Sequence, residues 1–145
     1  MKANTRKIFR AVIFAALGTV SIASFAGAQN GSMVSSIDPN AGVLTMVNVL
    51  TPAPGKQFET IQLLQAGMNN TMRHQPGFIS ANIHQSLNSE HVVVYAQWKD
   101  QASVEAAAKL IQDGKAPNMA TVFTIAQPAY HPYDVVSVHP AFETK

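Results

Sequence analysis

Apolar and polar positions alternate first between Val43 and Leu50, which read VLTMVNVL, a β-branched run of strand length. Strand parity puts Leu44, Met46, Asn48 and Leu50 on one face. Thr51-Pro52-Ala53-Pro54-Gly55 ends the run, since proline cannot continue a central strand. From Lys56 to about His74 the period changes. Phe58, Ile61, Leu64, Met68 and Met72 recur at steps of three and four, the stripe of an amphipathic helix, and Gln75-Pro76-Gly77 stops it. Phe78 to Ser86 and His91 to Trp98 are two further strand-like runs, with Leu87-Asn88-Ser89-Glu90 between them as a hairpin loop. Asp100 offers an N-cap for an Ala-rich helix from Ala102 to Gln112, which ends at Asp113-Gly114. Ala116 to Pro132 reads as a longer connection with room for a helical turn around Met119 to Phe123. Tyr133 to His139 reads as the last strand.

Strand, helix, strand, strand, helix, strand is the split βαβ, or ferredoxin-like, order. It predicts an α+β domain over residues 43–140, an antiparallel four-stranded sheet with helices on one face. The other face then needs a cover. Val47, Val49, Val93 and Tyr95 would leave an apolar patch on a monomer, and a homodimer packed sheet against sheet is the simplest answer.

The first residues follow a different logic. Lys2, Arg6, Lys7 and Arg10 precede an apolar run from Ala11 to Ala23, which closes on Ala26-Gly27-Ala28. This is the layout of a cleavable signal peptide over residues 1–28, and the run is short for a membrane span. The expected mature chain is periplasmic or secreted and leaves the membrane after cleavage; an N-terminus at Gln29 in exported protein is the observation that checks it. Residues 29–42, rich in Gly, Ser and Asn, read as a flexible arm, and 141–145 as a tail.

Cleavage also changes the charge. The whole chain carries +2, but the mature part keeps six Lys and Arg against eight Asp and Glu, a net charge of −2. With no clustered basic surface, nucleic-acid binding is excluded. The chain has no cysteine, so stability rests on burial, and cysteine-based catalysis and cysteine-ligated zinc sites are excluded.

Three residues stand out as candidate chemistry. Asn48 is an amide in the middle of an apolar strand, costly to bury without a partner; a ligand oxygen, a backbone group or water could supply one. Trp98 ends the third strand on the face of Val92, Val94 and Ala96, and its indole N–H needs an acceptor if buried. His84 has the parity of Phe78, Ser80 and Asn82, and is either a general base near neutral pH or a rim histidine. The five histidines, at 74, 84, 91, 131 and 139, show no metal-ligand spacing. No phosphate loop, nucleophile elbow or dinucleotide fingerprint occurs.

Val47-Asn48-Val49, Pro76-Gly77-Phe78-Ile79-Ser80-Ala81 and Tyr95-Ala96-Gln97-Trp98, in this order and spacing, resemble the antibiotic-biosynthesis-monooxygenase family. The resemblance covers about Val43 to Gln112 and implies a dimeric α+β barrel. It further implies that Asn48 and Trp98 point into a cavity between sheet and helices. The activity it implies is a cofactor-independent monooxygenase reaction between O₂ and a small hydroxylated aromatic or quinol-like compound. Asn48 and Trp98 would then be donors and His84 the base, with no flavin, haem or metal required. A haem-degrading branch of the family uses a histidine in the helix after the tryptophan, and residues 101–114 contain none. The alternative from a different class is a non-catalytic exported dimer that binds a small hydrophobic ligand.

Overall fold

Strand β1 (Leu44–Pro52) lies inside the sheet, paired antiparallel with β3 (Val92–Trp98) on one side and β4 (Ala126–Tyr133) on the other. Strand β2 (Phe78–Gln85) pairs antiparallel with β3, which completes the order β2-β3-β1-β4. Helix α1 (Gln57–Asn70), followed by a single 3-10 turn at Met72–His74, connects β1 to β2; α2 (Gln101–Gln112) and α3 (Pro117–Ile125) connect β3 to β4. This is the expected α+β, ferredoxin-like topology. The computed structural model describes residues 34–142. The expected signal peptide, the start of the arm and the last three tail residues lie outside them.

The pairing carries the face assignment from strand to strand. Leu44 stands opposite Trp98, Met46 opposite Ala96, Asn48 opposite Val94 and Leu50 opposite Val92. These eight residues share the helix-covered side, as period-2 alternation requires. Leu50, Leu64, Val92 and Val122 are fully enclosed in the core.

Four features depart from the sequence reading. The last strand is Ala126–Tyr133 and not Tyr133–His139. The Val-rich stretch promised a strand, whereas the segment that forms one holds Pro128 and Pro132. Proline is admitted there because β4 is an edge, where alternate N–H groups face away from the ladder. The helical turn expected near Met119 is a nine-residue helix, α3, which consumes most of the predicted connection and brings the chain to the sheet early.

Second, β2 is bulged. Phe78 pairs with Trp98 but Ser80 pairs with Gln97, so the register slips between them. A bulge adds one residue and reverses parity beyond it. Phe78 therefore faces the helices together with Ala81 and Ile83, while Ser80, Asn82 and His84 face the opposite side.

Third, Phe58 does not join the apolar stripe of α1; it is 69% exposed. The buried positions are Thr60, Leu64 and Gly67. A Cβ at Gly67 would collide with the side chain of Met119, so a glycine here lets α3 pack close and turns the buried face of α1 toward it.

Fourth, residues 34–42 form no helix or strand but are held to the bare face of the sheet. Asn82 Nδ2 donates to Ser35 Oγ at 3.1 Å, Ser35 and Ser80 share a hydroxyl contact at 3.1 Å, and Gln97 Nε2 donates to the Ser36 carbonyl at 3.1 Å. The arm thus has three polar anchors at the β2–β3 side of that face.

Helix α2 starts as the sequence suggests. Asp100 caps it by accepting from the Ser103 backbone N–H at 2.9 Å and from the Ser103 hydroxyl at 2.6 Å. These hydrogen bonds hold the Asp100 carboxyl below its ordinary range.

Candidate functional site

Between the sheet and the three helices lies a cavity of about 410 Å³, within the roughly 300–1,000 Å³ typical of small-molecule sites. Its floor is Met46 and Asn48 from β1 with Val94, Ala96 and Trp98 from β3. Small residues of α2, Ala107 and Ala108, leave the room above the floor. Met68, Met72 and Met119 line the walls, soft side chains that adapt to a ligand's outline. Phe123 and Tyr130 are part-exposed members of the lining and sit toward solvent. A second hollow of about 370 Å³, around Asp38, Lys99, Asp100 and Asp134, is more open and predominantly polar; it has no comparable apolar enclosure.

Asn48 is 8% exposed, and its Oδ1 has no hydrogen-bond partner. A buried amide oxygen without a donor costs on the order of 1–3 kcal/mol. Neither the backbone nor a described side chain meets that need, so of the three partners considered for Asn48 the backbone group falls away and a ligand or water is left. Trp98 is 5% exposed and packs edge-on against Phe78, with ring centroids 5.2 Å apart and an interplanar angle of 88°.

Both residues border the same cavity, but at different ends. Trp98 stands opposite Leu44, four residues from Asn48 along β1. At the strand rise this is about 13 Å along the sheet. Their backbones thus favour contacts with two parts of an extended ligand rather than with one atom.

His84 is not brought to this cavity. It pairs with Val93, is exposed, and lies on the opposite face of the sheet. The bulge at the start of β2 is the physical reason: the parity argument that grouped His84 with Phe78 fails once one extra residue is inserted. His131 pairs with Val47 and is likewise on the bare face.

Tyr130 is the residue that sequence reasoning missed. It pairs directly with Asn48 across β1 and β4 and lines the cavity. Pro128 and Pro132 lack N–H groups, so the pairs they occupy are non-hydrogen-bonded. Tyr130 lies midway between them and shares that class, in which cross-strand side chains approach most closely. Burial pushes the Tyr130 phenol above its ordinary range. The Pro-x-Tyr-x-Pro spacing was the available signal, but it becomes readable only once this segment is recognised as an edge strand.

Asn48, Trp98, Gln112 and Tyr130 are the polar members of the lining. Among the described residues, no His, Cys, Asp, Glu, Lys or Arg borders the cavity, and no group of three His, Cys, Asp or Glu converges as a metal site. Helix α2 contains no histidine to serve as a haem ligand.

Comparison with known proteins agrees with this geometry. The family profile described as Antibiotic biosynthesis monooxygenase matches residues 43–110. Tetracenomycin-F1 monooxygenase of Streptomyces glaucescens is 41% identical over 73 residues, which span 50% of this chain and 65% of that relative's length. SnoaB, a cofactor-independent oxygenase from Streptomyces nogalater, is similar in fold, with a TM-score of 0.59 and 20% identity over 70% of this chain and all of the other. A Pseudomonas aeruginosa protein aligns with a TM-score of 0.53 and 18% identity, over 67% of this chain and 97% of its own. Sequence pattern, strand order and profile together make residues 43–110 similar to the antibiotic biosynthesis monooxygenase family.

Proposed function

We propose that this protein is a cofactor-independent monooxygenase acting on a small, uncharged hydroxylated aromatic or quinol-like compound. The observation that carries the reading is the unpartnered, buried Oδ1 of Asn48 in the floor of a predominantly apolar cavity. An apolar enclosure favours a flat aromatic body, and a ligand hydroxyl would give Asn48 Oδ1 the donor it lacks. The naming of two similar proteins as a monooxygenase and a cofactor-independent oxygenase supports the same reaction class.

In this chemistry the substrate supplies the electrons. In its enol form the substrate loses the hydroxyl proton to water, giving an anion shared between that oxygen and the ring carbon that is CH₂ in the keto form, and this electron-rich anion reacts with O₂ at carbon. One oxygen atom stays as a carbonyl, the other leaves as water, and the CH₂ loses both hydrogens. The protein's part is to exclude bulk water and stabilise the anion with fixed donors. We assign Asn48 and Trp98 to opposite ends of the substrate. With His84 on the other face of the sheet, the role of base passes away from it.

The bare face supports a homodimer. Val47, Val49 and Val93 lie there, Val49 is 37% exposed, and the arm's anchors are on Ser80, Asn82 and Gln97. Light scattering at micromolar concentration should report twice the chain mass; a persistent monomer would refute this part.

The test of the activity uses the chain's single tryptophan. Because Trp98 lines the cavity, its fluorescence should change when a hydroxylated aromatic binds. A panel of quinols and anthrone-like compounds should yield O₂ uptake in step with that change. Binding without O₂ uptake across the panel would favour the non-catalytic, ligand-binding dimer instead.

A further inference from the structure

We propose that the Tyr130 phenol contacts the substrate directly and, together with the Asn48 Nδ2 amide, donates the hydrogen bonds that hold the bound substrate oxygen in its anionic form. The inference rests on the cavity being the substrate site. It adds a residue, and a direction of proton flow, that the pairing of Asn48 with Trp98 does not supply.

Three observations lead to it. Tyr130 is the direct cross-strand neighbour of Asn48 in a close-approach pair, so both side chains enter the cavity from one level of the sheet. Tyr130 is also 48% exposed while lining the cavity, which places it where the enclosed space meets solvent. Finally, it is the one titratable side chain among the described residues of the lining. Strands β1 and β3 and all three helices contribute only uncharged, non-titrating groups to the cavity.

The chemistry follows from that isolation. A half-buried phenol with no cation in the cavity lining keeps its proton at neutral pH, so Tyr130 acts as a donor and not as a base. Its O–H points a partial positive charge at a substrate oxygen, and this interaction strengthens when that oxygen becomes negative. The substrate O–H bond breaks toward water at the cavity mouth. Its electron pair stays on the oxygen, the proton leaves with solvent, and Tyr130 remains protonated throughout. No protein carboxylate or imidazole is needed.

A chromophoric phenol tests this without turnover. Hydroxynaphthoquinones change visible absorbance on ionisation, so the ionisation midpoint of the bound probe can be read by titration, with binding followed separately by Trp98 fluorescence. In the wild-type protein the midpoint should lie below that of the free probe. Tyr130→Phe keeps the ring and removes only the donor, and should raise the bound midpoint by about one to two pH units, a tenfold to hundredfold loss of preference for the anion. Tyr133→Phe, on the bare face opposite Thr45, should leave the midpoint unchanged. If the probe binds and its midpoint is equally lowered in wild type and Tyr130→Phe, the role of Tyr130 is refuted while the cavity stands. If the probe does not bind the wild-type cavity, the cavity reading falls and this proposal with it.

Discussion

Asn48→Leu should give a protein that is at least as stable as the wild type and yet turns over substrate roughly 10²–10³-fold more slowly, the usual cost of losing one fixed polar group at a developing anion. The two effects have one origin. In the ligand-free fold Asn48 Oδ1 is enclosed and unpartnered, which costs on the order of 1–3 kcal/mol. Leucine has a similar shape and no polar atoms, and Met46 and Val94, beside it on the same face of the sheet, are apolar. Removing the amide relieves the cost, so the melting temperature should hold or rise. A merely structural amide predicts the reverse: lower stability and unchanged turnover per folded molecule. Denaturant unfolding and O₂-uptake kinetics on one preparation of the variant separate the two, and lost stability with full activity would remove Asn48 from the site.

That a residue can be recognised by what it costs explains which parts of this molecule were legible in its sequence. Strand β1 was readable because its alternation is local, and one polar residue on the apolar side stands out against it. Trp98 was readable by the same parity along β3. Both arguments need only neighbours two residues away, and the pairing of Leu44 with Trp98 and Asn48 with Val94 agrees with them.

Parity fails where the backbone is irregular. The bulge between Phe78 and Ser80 is a tertiary event, set by how β2 meets β3, and it sent His84 to the wrong face of the sequence-based picture. Strand β4 was hidden for a related reason. Its two prolines argue against a strand in isolation, and only its position at the sheet edge makes them admissible. The Val-rich residues after it offered a better local match but have no partner strand. With β4 misplaced by seven residues at its start, Tyr130 fell in a connection, and its pairing with Asn48 could not be anticipated. The 13 Å between the levels of Asn48 and Trp98 followed from the same strand rise, and required only the register to be read.

Gly77→Ala should be the most destabilising small substitution in the domain outside the core, by about 2–5 kcal/mol. Gly77 has φ = +80°, a region where an L-residue costs roughly 1–2 kcal/mol. A Cβ there would also fall 2.6 Å from Ser103 Cβ and closer still to its hydroxyl, and forced overpacking costs about 1–3 kcal/mol more. Gly77 cannot retreat, because its carbonyl accepts from the Lys99 N–H at 2.8 Å. Ser103 cannot easily yield either, since Asp100 holds both its N–H and its hydroxyl at the start of α2. Strain at Gly77 is therefore transmitted to the first turn of α2, and next to Ser103 lies Val104, a wall of the cavity. Ligand affinity per folded molecule should fall along with stability. Ser103→Gly in the Gly77→Ala background separates the two contributions. It removes the colliding Cβ but not the backbone strain, so the double variant should be less destabilised than the sum of the single ones. Strict additivity in that cycle would show that the collision contributes nothing and that the left-handed backbone alone requires glycine at this position.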